Sequence, residues 1–389
     1  MIKKKIVILG STGSIGKNLL KIIKNDKKNF NIFLLSANRN ISLLIKQAKE
    51  FNVKNIIISN QKSYLIAKKK LRNTKINIYN SLSVLNKILN KKKIYYSMVA
   101  IVGLDGLEPC LNLIKYSKNI AVANKESLIC GWALIKKSLK KYRVNFIPVD
   151  SEHFSIFSLI DNQNYKSIDK IFITASGGPF FKSNNINLKK IKISDALNHP
   201  NWKMGKKISI DSSTMMNKVF EVIEAKNIFN LKYNNIKILI HPKSYVHTIL
   251  KLTNGLIKIL VHDPNMKIPI FNSLYLNQNK KIISKNLDLS LLNDLELSIP
   301  SIKQFPLIKI LSHLPEFNSL YETALITIND FFVYKFLEKK ITFFLLISYI
   351  YKFSKLPDFY KFTKIPVKNI SDINKTRNYV SSKLRTISI

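Results

Sequence analysis

The feature that most constrains the fold is a regular alternation across the first 150 residues. Short apolar runs rich in β-formers occur at 5–10, 31–37, 55–59, 76–79, 97–102, 119–123 and 145–149, with amphipathic segments of helical length between them. Strands joined through helices must run parallel, so the pattern predicts an α/β fold with a doubly wound parallel sheet. Glycine is scarce in the chain, and three of its ten glycines fall in "GSTGSIG" at 10–16, between the first strand and the first helix. A backbone free of side chains there lets the N–H groups of residues 12–15 and the positive end of the helix face a phosphate. The spacing is G-x-x-G-x-x-G, and its place in a strand–loop–helix unit favours a Rossmann-like dinucleotide site over an ordinary tight turn.

The second strand ends in "ANRN" at 37–40, without the acid that would bind an adenosine ribose. Arg39 could meet a 2′-phosphate, which makes NADPH the expected cofactor; it also reads as one more solvated cation of a basic chain.

The last strand of the alternation runs into "PVDSEH" at 148–153. Asp150 and Glu152 follow its end at i, i+2 and are expected to project on one side, which suits a hard cation. Chance supplies about one such pair in a chain with this many acids, and spacing alone favours a surface role. Asp294 and Glu296 repeat the spacing in a polar, leucine-interrupted surround and read as a solvated face.

Beyond residue 150, strands are expected at 170–175, 237–241 and 256–261 and a helix from Met215 to about Ile228, an α+β region reaching to 275. Residues 276–301 read as a linker and 302–389 as a helical domain. The formal charge of +41 comes from 64 Lys and Arg against 23 acids, but the lysines are spread through every segment and no nucleic-acid motif accompanies them. Compositional drift towards Lys, Asn and Ile explains the charge better than nucleic-acid binding. The two cysteines have no metal-type spacing, and the longest apolar run, 341–350, is too short to span a membrane. A cytoplasmic protein without nucleic-acid or membrane partners is expected.

Four further stretches complete the pattern: "ANKESL" at 123–128, "SGGPF" at 176–180, "HPNWKMGKKISIDSSTMMNKVFEVIEA" at 199–225 and "HPKSYVH" at 241–247. With the glycine loop and the acids at 150 and 152, the chain resembles the 1-deoxy-D-xylulose 5-phosphate reductoisomerase family. The resemblance implies an NADPH-binding domain over 1–149, a catalytic and metal-binding domain over 150–275, a C-terminal helical domain and a homodimer. It makes Asp150, Glu152 and Glu221 the ligands of Mg²⁺ or Mn²⁺, although Glu221 alone would read as a solvent-facing helix acid. Thr12, Gly13, Ser14, Ile15, Asn38, Arg39, Asn40, Asn124, Glu126 and Gly205 become cofactor contacts. Lys125, Ser151 and Glu152 contact the sugar, with Lys125 counted as catalytic beside the three acids. The substrate phosphate falls to Ser176, Ser212, Asn217 and Lys218 with His199 beside it, and Trp202 and Met204 look like a mobile flap. His199 read alone is a turn histidine and Trp202 a core residue; His153, His241, His247, His262 and His313 are left as structural.

The implied reaction has two steps. Deoxyxylulose phosphate is cleaved and rejoined in a retro-aldol sense to a branched aldehyde, and NADPH reduces that aldehyde to 2-C-methyl-D-erythritol 4-phosphate. Departures from the family's usual residues occur at Asn38, Asn265, Lys267 and Asp330, the last beside an Asn329 that keeps the usual amide, and none of them is a proposed metal or phosphate ligand. Two other classes fit parts of the chain: an NADPH-dependent dehydrogenase of a different substrate, which needs no acidic triad, and a non-catalytic basic protein that binds nucleic acid on the same scaffold.

Overall fold

The computed structural model describes residues 3–160, 167–181, 187–202, 204–276 and 278–386, and the chain divides into two compact units. The first comprises Met1–Leu128, Leu134–Phe154 and Met266–Ile282. Its sheet is built from β1 (Lys4–Leu9), β2 (Phe30–Ala37), β3 (Asn55–Ile58), β4 (Asn77–Tyr79), β5 (Ile94–Val99), β6 (Ser117–Val122) and β7 (Asn145–Pro148). Among the described residues these seven strands lie in the order β4-β3-β2-β1-β5-β6-β7, every pairing parallel. The expected doubly wound sheet is therefore present. Central strands read as continuous apolar runs because both faces are covered, and Ile6, Val7, Ile8 and Leu9 of β1 are all fully buried.

Helices α1 (Ser14–Lys24), α2 (Ile41–Glu50), α3 (Gln61–Lys70), α4 (Leu85–Ile88), α5 (Leu107–Ile114) and α6 (Lys125–Tyr142) connect the strands. In α1, Gly16, Leu19, Leu20 and Ile23 recur at helical spacing and are buried, while Lys21 and Lys24 lie at the negative end of the helix. The run 97–102 was expected to be strand throughout, but β5 stops at Val99. Gly103 turns the chain at φ +80, and Val102 is left 81 % exposed.

The second unit comprises Ile129–Ala133, Ser155–Asn265 and Ile283–Ile389. Helix α7 (Ser151–Ile160) precedes strand β8 (Ile168–Ala175), and α8 (Ile193–Leu197), α9 (Lys206–Ser213) and α10 (Met216–Phe229) follow. Strands β9 (Ile236–Ile240), β10 (Val246–Leu252) and β11 (Ile257–Val261) complete a sheet of order β11-β10-β8-β9, with β8 and β9 parallel and the other pairings antiparallel. Strand β10 was not among the expected strands, although its "VHTILKL" is β-branched and apolar. Ile171, Ile173, Val222, Phe229, Ile238 and Leu250 form the core between α10 and the sheet.

Helix α11 (Lys267–Leu274) belongs to the first unit, where it packs on α1 and Ser273 Oγ lies 2.7 Å from Tyr96 Oη. The region expected to be a linker holds only the short α12 (Leu289–Asn293) among the described residues, and Asn277 lies outside them. It is not a free tether, because Ser298 pairs with Ile240 through two backbone hydrogen bonds of 2.7 and 3.0 Å. The tail is helical as expected: α13 (Tyr321–Leu337), α14 (Phe343–Ser354), α15 (Pro357–Tyr360) and α16 (Ile370–Thr386).

Candidate active site

The first unit places the glycine loop where its strand order reverses, between β1 and β5. Gly10 has φ +83, and a Cβ there would come within 2.3 Å of Ala100 O, so the loop after β5 lies directly against it. A Cβ on Gly16 would meet Ser11 Cα at 2.5 Å. Ser36 Oγ accepts from Gly10 N–H at 3.0 Å, and Gln47 clamps Ser11 through bonds of 2.8 and 3.0 Å. Gly13 is the N-cap of α1 and no side chain caps that end. A glycine backbone that admits no side chain, leading into an uncapped helix N-terminus with Thr12, Ser14 and Ile15 around it, fits a pyrophosphate.

Other expected cofactor contacts divide into two kinds. Asn38 and Arg39 are exposed at the end of β2, with the Arg39 carbonyl fixed by Ile41 N–H at 2.8 Å and Ser63 Oγ at 3.3 Å. Asn40 instead caps α2, accepting from Leu43 N–H at 3.2 Å. Asn124 is buried and fully committed: it accepts from Ser127 N–H at 2.6 Å and donates to the carbonyls of Ile101 and Gly103. Its side chain shapes the 101–103 loop, and sequence reasoning missed this although Asn before a helix is a capping signal.

Asp150 lies in the bend after β7, Glu152 is in the first turn of α7, and Glu126 is in the first turn of α6. Both acids follow the strand's end as expected, but the i, i+2 alternation of a strand does not set their direction. Ser151 starts a helix whose N-terminus favours acids, so alternation does not apply. Lys125 Nζ is 3.1 Å from Asp150 Oδ2, His153 Nδ1 is 3.7 Å from its Oδ1, and Ser151 donates to Glu152. Burial pushes the Asp150 carboxyl up, but the charge of Lys125 and the contacts with His153 and Glu152 outweigh it and hold the group well below the usual range. His153, fully buried and read as structural, thus touches a proposed ligand; its i, i+3 spacing from Asp150 was the available signal.

The second unit gathers the expected phosphate ligands. Ser176 directly follows β8, and its Oγ accepts from Gly178 N–H at 3.0 Å and lies 2.9 Å from His199 Nε2. His199 Nδ1 accepts from the backbone N–H groups of Asn201 and Trp202 at 3.2 and 3.0 Å, so its proton is on Nε2 and donates to Ser176. Ser176 keeps its own hydroxyl proton to give. Burial, and then the charge of Lys218, push His199 down to about 4, which keeps it neutral near pH 7. Gly178, at φ +68, has the Ser212 carbonyl 3.3 Å from where its Cβ would be, which brings the 176–178 turn onto α9. Met215 takes the left-handed conformation at φ 64 between α9 and α10, and one turn on, Asn217 and Lys218 donate to the two oxygens of Glu221. Glu221 is 2 % exposed, not a solvent-facing acid. Trp202 packs edge-on to His247 at 6.3 Å, and Asn201 Nδ2 donates to Pro242 O and Ser244 Oγ at 2.6 and 2.8 Å. Lys203 of the expected flap lies outside the described residues, and Gly205 caps α9 in open space. Asp294 stays on the surface, paired with Lys243 at 3.1 Å.

Three family profiles match the chain: 1-deoxy-D-xylulose 5-phosphate reductoisomerase over 6–131, its C-terminal domain over 146–229, and the DXP reductoisomerase C-terminal domain over 262–381. A 1-deoxy-D-xylulose 5-phosphate reductoisomerase of Pelagibacter ubique is 56 % identical over 390 residues, covering 99 % of this chain and 100 % of the relative. One from Wolbachia pipientis wMel is 37 % identical, covering 95 % and 94 %. The solved reductoisomerase of Zymomonas mobilis in complex with NADPH superposes with TM-score 0.87 at 28 % identity over 99 % of this chain and 100 % of that one. A crystal structure of DOX-P reductoisomerase with NADPH, fosmidomycin and magnesium gives 0.89 at 30 % identity, over 98 % and 97 %.

Proposed function

This chain belongs to the 1-deoxy-D-xylulose 5-phosphate reductoisomerase family, and from that premise we propose how its residues carry out the reaction. The protein is an NADPH- and divalent-metal-dependent oxidoreductase that converts 1-deoxy-D-xylulose 5-phosphate to 2-C-methyl-D-erythritol 4-phosphate in isoprenoid precursor synthesis. The observation that carries this is identity above half over essentially the whole chain, the 199–225 stretch included.

Asp150, Glu152 and Glu221 are assigned as the metal ligands. Three carboxylates, with no thiolate or imidazole, form an all-oxygen donor set that suits Mg²⁺ or Mn²⁺. When bound, the cation would supply Lewis acidity and NADPH the hydride. Lys125 keeps Asp150 ionised and presents its ammonium to the sugar. Lys218 and Asn217 anchor the phosphate with Ser212 and Ser176, the latter donating the proton that the neutral His199 leaves it. Anchoring one end of the sugar phosphate holds the separated fragments for rejoining. Trp202 and Met204 cover the site and exclude water. The glycine loop with Thr12 to Ile15 takes the pyrophosphate and Arg39 the 2′-phosphate, with Asn38, Asn40, Asn124, Glu126 and Gly205 shaping the cofactor's surroundings.

The protein acts as a homodimer in the cytoplasm, without nucleic-acid partners. The two cysteines, Cys110 and Cys130, are buried and suit a reducing compartment, and no described helix is long and apolar enough to cross a membrane. The test is loss of NADPH absorbance on adding deoxyxylulose phosphate, with and without Mg²⁺ or Mn²⁺. Turnover that ignores chelation of the metal would instead support a plain dehydrogenase.

A further inference from the structure

A buried polar network joins α9 to α13 and ends one residue from a proposed phosphate ligand. Asp211 on α9 is 1 % exposed, and both its oxygens are engaged: Oδ2 lies 2.9 Å from Lys207 Nζ, and Oδ1 accepts from Asn329 Nδ2 at 2.8 Å. Lys207 Nζ is also 3.0 Å from Asp330 Oδ1 and stands 5.4 Å from the ring centroid of Phe220 on α10. Asn329 is fully buried in the row formed by Leu325, Phe332 and Val333, where an amide is tolerated only if it has a partner. Two residues of α13 therefore grip two residues of α9 through two carboxylates, an ammonium and an amide.

Helix α9 carries Ser212 directly after Asp211. Its C-terminus is closed by Thr214, whose Oγ1 donates to Ile210 O at 3.1 Å, and the left-handed Met215 then starts α10. Helix α10 is held by the sheet through Val222 and Phe229. With the adjoining helix held by other contacts, the network fixes the rotation and height of α9 and with them the Ser212 hydroxyl.

We propose that Asn329 and Asp330 are positioning residues for the substrate's phosphate group, acting through Asp211 and Lys207 on Ser212. This inference rests on the phosphate assignment of Ser176, Ser212, Asn217 and Lys218 made above. Neither residue of α13 touches the phosphate itself; each holds the helix that does.

The test is steady-state kinetics of the full-length enzyme with its metal, comparing wild type with Asn329→Leu/Asp330→Ala, Asp330→Ala and Asp330→Glu. The double variant is expected to raise the KM for deoxyxylulose phosphate about ten- to hundredfold, and to weaken competitive inhibition by inorganic phosphate in step. The KM for NADPH should not move, and Asp330→Glu, which keeps a carboxylate for Lys207, should recover most of the loss. If the double variant does not fold, Asp330→Ala, at a side chain 33 % exposed, carries the same comparison. An unchanged KM for deoxyxylulose phosphate in a folded variant overturns the proposal, as do equal rises in both KM values. A wild-type protein with no turnover would defeat the functional reading instead. Thermal stabilisation by inorganic phosphate, expected in wild type and lost in Asp330→Ala, then decides the positioning role by itself.

Discussion

A carboxylate as buried as Glu221 needs compensating charge and donors, and Lys218 and Asn217 supply both from the preceding turn of the same helix. Glu221→Gln keeps the shape but removes the negative charge on which the metal assignment depends. It should lower kcat by at least about a hundredfold while NADPH binding, measured by fluorescence titration, is retained; wild-type turnover in this variant would refute the ligand assignment. Arg39 makes the opposite case, an exposed cation whose backbone is fixed and whose guanidinium faces solvent. Arg39→Ala should raise the NADPH KM about tenfold with kcat nearly unchanged, and should leave the NADH KM alone. Arg39 was proposed from the local stretch 37–40, whereas Glu221 was named only through the family resemblance, because its position on a helix by itself read as a solvent-facing acid. His153 and Asn124 were less legible: one was passed over as a structural histidine, and the other's side chain turned out to cap a helix and tie down a loop.

Among the elements, α13 shows how far a helix can depart from its amphipathic pattern. Glu322 in its first turn is fully buried and accepts from Ser319 N–H and Oγ at 3.1 and 2.5 Å. Burial dominates those bonds and raises its carboxyl from 4.5 to about 7. The folded protein therefore holds this proton more tightly than the unfolded chain. The stability linked to it is fully present below pH 4.5 and is lost as pH rises through about 7, a loss of about 3 kcal/mol. Glu322→Gln should remove that dependence: its unfolding free energy, measured by urea denaturation, should exceed wild type's increasingly from about pH 5 to about pH 8. Parallel curves for the two proteins would show that the buried carboxyl does not titrate in this window. The helix itself was legible from its period, but the acid's burial was not, because the groups that cover it come from distant sequence.

For the whole molecule, the four-stranded sheet of the second unit has, among the described residues, one edge closed and one open. Ser298 pairs with Ile240 of β9, whereas β11 is bonded on one side to β10 and leaves Leu256, Ile257 and Ile259 at 58, 61 and 45 % exposure. An apolar open edge invites association, so we place the second copy of the proposed homodimer on it. Ile257→Lys together with Ile259→Lys should convert the dimer to monomer in sedimentation velocity, with little change in the unfolding temperature of each protomer. A wild-type protein that already sediments as a monomer would sink the dimer reading. The charge of +41 is spread through the chain, and a wild type retained on DNA at high salt would contradict the absence of nucleic-acid partners.

The amino-acid sequence by itself determined the parallel sheet, the glycine loop at the strand–helix junction and the family, because each is written in local order: period-2 and period-3.6 hydrophobicity, closely spaced glycines, and a long unbroken stretch at 199–225. Tertiary structure alone decided which of the named residues serve geometry. It brought Met266–Ile282 back to the first sheet, committed Asn124 and Asn40 to capping, and joined Asp211 to Asn329 across more than a hundred residues. Contacts of that kind follow from the burial and pairing of polar groups once helices are packed, and no periodicity along the chain encodes them.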